Sequence, residues 1–83
     1  MDAATQQYRD LFYALDEAGV FESYLDEAEL SEFDRGTGGN PRLVNLLAAA
    51  ETRAYEANCP DEGIKLGRMA RLVADNLDGD FSA

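Results

Sequence analysis

Histidine and tryptophan are absent from this 83-residue chain, cysteine and lysine occur once each, as Cys59 and Lys65, and proline occurs twice. Without histidine the chain lacks the commonest general base, the usual nucleophile triads and the main ligand of zinc enzymes. A single cysteine excludes an internal disulfide and a cysteine zinc site, and it fits a reducing, cytoplasmic setting. With no imidazole to activate it, Cys59 reads as a small apolar residue. The longest apolar run, Leu46 to Ala50, falls far short of the about 20 residues that a membrane helix needs. The start at Met1-Asp2 has neither a basic nor an apolar leader, so no signal peptide and no membrane contact are expected.

What is present is acid. The net charge is −10, and it is unevenly spread. Residues 1–34 hold ten acids against Arg9, whereas residues 35–83 hold seven acids against six bases. The stretch DEAGVFESYLDEAELSEFD, residues 16–34, carries Asp16, Glu17, Glu22, Asp26, Glu27, Glu29, Glu32 and Asp34 without one Lys or Arg. Between them stand Val20, Phe21, Tyr24, Leu25, Leu30 and Phe33. Such a field repels nucleic acid and anionic lipid and attracts basic surfaces.

The apolar spacing predicts an all-α fold in one domain, 1–83: a small compact bundle of three long helices plus one short or broken acidic helix. Tyr8, Leu11, Phe12 and Leu15 mark a helix over about 3–18, and Gly19 is placed to end it. Ser23 and Asp26 resemble a loose capping box. In the acidic segment Val20, Phe21, Tyr24, Leu25 and Ala28 share one helical face, but Leu30 and Phe33 point away from it. Two short helices broken near 28–31 would bury both sets, whereas one continuous helix would leave Leu30 and Phe33 exposed. After the loop Arg35–Gly39 comes a near-neutral helical hairpin, 40–78. Asn40-Pro41 should cap and start its first helix, with Leu43, Leu47, Ala50 and Ala54 on the core face. Asn58-Cys59-Pro60-Asp61 should turn the chain, and Leu66, Met69, Ala70, Val73 and Leu77 should line the last helix.

Four motifs bear on possible chemistry. Gly63, Gly67, Ala70 and Ala74 form a small-residue stripe, suited to close packing within the hairpin or to a homodimer seam through Gly63 and Gly67. Lys65, Arg68 and Arg71 lie at i, i+3, i+6, a strip fitted for charge balance more than for a phosphate. The tail Asp75–Asp80 does not follow the grammar of a calcium loop, which needs glycine at position 6 and glutamate at position 12; counted from Asn76, position 6 is Phe81. Glu29-x-x-Glu32 with Asp75-x-x-Asp78 partly resembles the paired acidic motifs of all-α nucleotide pyrophosphohydrolases. It departs from them in having Asp-x-x-Asp as the second pair, and no substrate-reading residues accompany it. No cofactor, metal site or enzyme activity is expected.

A helical rise of about 1.5 Å per residue would space the eight carboxylates much as phosphates are spaced along a DNA strand. A broken helix would gather them into a denser patch. In size and charge the chain is similar in kind to the small acidic inhibitors that mobile elements, phages included, use against host restriction and CRISPR enzymes. That resemblance implies a nucleic-acid mimic that binds a basic, nucleic-acid-binding protein and not nucleic acid itself. The expected contact residues are the eight carboxylates, with Tyr24 and Phe33 as apolar anchors. The competing readings are a structural or adaptor module, homodimeric through Gly63 and Gly67, and a surface adapted to high salt.

Overall fold

The computed structural model describes residues 3–35 and 41–76, so the Asn40 cap, Leu77 and the 77–80 part of the tail lie outside the described residues. Five helices follow in order: α1 (Ala3–Glu17), α2 (Val20–Tyr24), α3 (Glu27–Arg35), α4 (Pro41–Glu56) and α5 (Pro60–Asp75). The fold is all-α, a bundle of three long helices with the acidic segment broken into two short ones. Among the described residues, no helix is long and apolar enough to cross a membrane.

The helix ends follow from local chemistry. Gly19 takes φ 70°, and its N–H donates to Asp16 O at 3.0 Å, closing α1 with a left-handed residue that carries no Cβ penalty. The α4–α5 turn uses Asn58 in the same region, φ 63°. There Asn58 N–H donates to Tyr55 O and Cys59 N–H to Ala54 O, the paired bonds of a Schellman ending, and Pro60 opens α5 at once.

The break in the acidic segment falls earlier than the expected 28–31. Leu25 is extended (φ −120°, ψ 138°), and α3 begins just beyond it. The cause is a reciprocal capping box between Asp26 and Glu29. Glu29 N–H donates to Asp26 Oδ1 at 2.8 Å, and Asp26 N–H to Glu29 Oε1 at 2.9 Å. Ser23 does not cap; its hydroxyl bonds back to Gly19 O. Breaking the helix here resets its phase. Leu25 and Phe33 turn inward, at 4% and 6% exposure, and Leu30 becomes half-buried.

Phe33 is therefore not a protruding anchor. Its ring completes a triad with Phe12 of α1 and Phe21 of α2: centroids lie 5.9 Å from Phe12 and 4.8 Å from Phe21, and Phe12 and Phe21 are 5.2 Å apart. Behind the triad, α4 and α5 close the core with Leu43, Leu47, Ala50 and Ala54 against Leu66, Met69 and Val73, all at most 2% exposed.

The small-residue stripe serves the hairpin. A Cβ placed on Gly63 would meet Tyr55 ring carbons at 2.8–3.0 Å, and one on Gly67 would meet the Glu51 carboxylate. Each step of four along α5 thus matches a step of four back along α4, the register of an antiparallel pair. Gly63 is buried in this contact, which occupies the face that a Gly63/Gly67 homodimer seam would need.

Two stability outcomes follow. Phe33→Ala should cost about 3–5 kcal/mol in urea unfolding, a large share of what a domain this size has. Gly67→Ala should instead gain about 0.5–1 kcal/mol, because alanine favours the helix and the flexible Glu51 side chain can swing aside. A clear loss for Gly67→Ala would mean that Glu51 is held in place.

Candidate interaction surface

The acidic segment sorts its carboxylates by the helix they face. α4 lies alongside α2 and α3 and presents two arginines to them. Arg53 Nη1 donates to Glu29 Oε1 at 2.7 Å and to the Tyr24 carbonyl at 2.7 Å, while its Nη2 reaches Glu29 Oε2 at 3.1 Å. One guanidinium thereby ties the C-terminal end of α2 to the first turn of α3. Arg42 donates through Nη2 to both Glu32 oxygens, at 2.7 and 2.6 Å. The Arg53 hydrogen bond, followed by the Asp26 amide, holds the Glu29 carboxyl below its usual range. Glu29, Glu32 and Asp26 are therefore engaged within the chain.

The remaining carboxylates are not. Asp16, Glu17, Glu22 and Glu27 are exposed, and among the described residues no lysine or arginine lies within ion-pair distance of them. The Asp34 side chain lies outside the described residues. Asp16 and Glu17 also stand in the last turn of α1, which contains no base, at the negative end of the helix dipole. Local electrostatics opposes acids there. Glu22 and Glu27 occupy first turns, where the dipole favours them.

Tyr24 is half-buried and turns toward α5. Its hydroxyl donates to Glu62 Oε1 at 3.5 Å, and the phenol pKa is pushed up to about 12, chiefly by the nearby Cys59 thiol. Half-buried and turned toward Glu62, it is not a free anchor. The segment also does not make the evenly spaced track that a continuous helix would give. Breaks at Gly19 and Leu25 fold the charges into a patch.

A hollow opens beside two of these carboxylates. A cavity of about 210 Å³ opens between α1, α2 and α3, lined by Phe12, Phe21, Phe33 and Leu30, with Asp16 and Glu22 among its walls. Phe33 thus reaches the surface only as part of this lining. The sequence signals that were missed, Arg42 and Arg53, lie 10 and 24 residues from their partners, beyond any helical spacing rule.

The other candidates carry less chemistry. Arg68 and Arg71 border a hollow of about 410 Å³ between α1 and α5, but Asp10 and Asp75 share it, which opposes an anion. Glu29 and Glu32, half of the pyrophosphohydrolase-like pairing, face arginines. Among the described residues there is no group of three or more His, Cys, Asp or Glu placed to hold a metal ion.

The Glu29–Arg53 pair gives a pH test. Because the folded Glu29 pKa is depressed, its stabilisation is present above the ordinary carboxyl value of 4.5 and is lost as pH falls through the folded value. Arg53→Gln should lower Tm at neutral pH, and the gap to the unaltered protein should narrow below about pH 4, leaving the part due to the Tyr24 carbonyl. A gap that is constant or widens in acid would contradict the pairing. Comparison with protein-family models, curated proteins and solved structures finds no match to this chain, so its function is read from its own charges and shapes.

Proposed function

We propose that this is a non-enzymatic protein that binds a basic, nucleic-acid-binding surface of a partner protein and thereby competes with the partner's nucleic acid. The observation that carries the reading is the division of the acidic segment. Arginines on α4 neutralise the inner carboxylates, whereas Asp16, Glu17, Glu22 and Glu27 are exposed and have no basic partner among the described residues, two of them at the unfavourable end of α1. Like charges held together in the free protein repel one another, and a basic surface relieves that repulsion on binding. A folded helical scaffold that already carries these charges also has little backbone left to order on association.

An adaptor role has one observation in its favour. Tyr55 and Ile64, 45% and 47% exposed, border a common hollow on the α4–α5 hairpin, on the side that also carries Arg68 and Arg71. Two exposed apolar side chains are ordinary for a surface, and the acidic corner is the less ordinary feature.

The test is capture of a partner on the immobilised protein at low salt, with and without competing DNA or RNA, beside the variant Asp16→Asn/Glu17→Gln/Glu22→Gln/Glu27→Gln. These four are preferred to Glu29 and Glu32, whose loss would also loosen α3. The expected result is one nucleic-acid-binding protein that is displaced by nucleic acid, weakened by salt and not retained by the folded variant. Capture that survives neutralisation, or that ignores competing nucleic acid, contradicts the reading.

A further inference from the structure

The hollow at the acidic corner sets two carboxylates beside an aromatic lining drawn from the edge of the core. Its volume, about 210 Å³, is below the roughly 300–1,000 Å³ of ordinary small-molecule pockets and suits a single inserted side chain. Its lining is aromatic: the Phe12 and Phe33 rings are parallel to within 4°, and Phe21 packs against both. Among its walls are Asp16 and Glu22, which flank the Gly19 turn and have no cationic partner among the described residues. An apolar occupant would strand two carboxylates beside it, at a desolvation cost. A phosphate would meet them with like charge. A side chain that is apolar or π-rich along its body and cationic at its head satisfies both halves of the lining.

The geometry points to this cavity as the receptor for one arginine side chain of a basic protein partner. Arginine fits better than lysine for two physical reasons. Its guanidinium is planar and weakly hydrated, so it stacks on phenylalanine faces, where a strongly hydrated ammonium does not. Its forked donors also serve two carboxylates at once. The inference rests on the proposed function and sharpens it. The four free carboxylates attract a basic surface, and the cavity between α1, α2 and α3 selects which of its side chains docks. Leu30, half-buried on α3, borders the same cavity and sets how deep that side chain can go.

The test is an amide and methyl NMR titration of the full chain with N-acetyl-arginine amide, N-acetyl-lysine amide and the uncharged citrulline analogue. Saturable shifts are expected from arginine around Phe12, Asp16, Phe21, Glu22 and Leu30, with lysine about threefold weaker and citrulline silent. Asp16→Asn/Glu22→Gln, both exposed positions, should weaken arginine binding by about tenfold. Leu30→Trp should block it while keeping every charge, with the rest of the spectrum reporting that the fold is retained. Equal responses to arginine and lysine, or shifts centred on Glu17 and Glu27, overturn the cavity assignment. An octa-arginine peptide at low salt separates the two levels. If it binds equally well to Leu30→Trp and the unaltered protein, the cavity assignment fails and the acidic-face reading stands. If it does not bind the unaltered protein at all, both fail.

Discussion

The meeting of Phe12, Phe21 and Phe33 is the contact on which the acidic half depends. Each ring comes from a different helix, and two of the three helices, α2 with five residues and α3 with nine, are too short to be stable by themselves. Their order comes from packing. The triad supplies the apolar surface, and stacked ring pairs of this kind add about 0.5–1.5 kcal/mol each beyond burial. With the rings in place, Leu25 closes the core below them and the carboxylates of α2 and α3 are forced outward.

Once outward, those carboxylates meet two different surroundings. The side facing α4 is met by Arg42 and Arg53, and Arg53 also takes the last carbonyl of α2, so charge pairing and helix ending are served by one side chain. The side away from α4 is met by nothing basic among the described residues. Two arginines of α4 thus serve the inner row, and among the described residues none serves the outer one. Asp16 and Glu17 show that this is not simply the best local arrangement, since bases would suit the last turn of α1 better.

The long helices were legible in the sequence because their signals are local. Tyr8 and Leu15, Leu43 and Leu47, and Leu66 and Val73 repeat at helical spacing and are all buried. Gly19 takes the left-handed turn expected of it, and the expected turn at 58–61 forms with Asn58 in the same region. The acidic segment was legible only as a break. Two overlapping capping patterns compete there, Ser23-x-x-Asp26 and Asp26-x-x-Glu29, and the second forms because glutamate reaches back to the Asp26 amide. That three-residue difference decides whether Phe33 is core or surface. The partition of the carboxylates was not legible at all, since it depends on which helix lies across from each, a tertiary fact. Tyr24 and Phe33 have the size of anchors, yet both are drawn inward, Tyr24 toward Glu62 and Phe33 into the triad.

The central claim is that the outer carboxylates are held at a cost that a basic partner relieves. The salt dependence of thermal stability measures that cost directly, because screening between exposed charges is largely complete once the Debye length falls below about 8 Å. Tm should rise between about 0.02 and 0.2 M NaCl and then level off, and the rise should shrink when Asp16, Glu17, Glu22 and Glu27 are neutralised together. A Tm indifferent to salt in this range would mean that the outer row carries no stored repulsion. A Tm that keeps climbing toward molar salt, with or without those four charges, would mean that the acidity answers to the solvent and not to a partner.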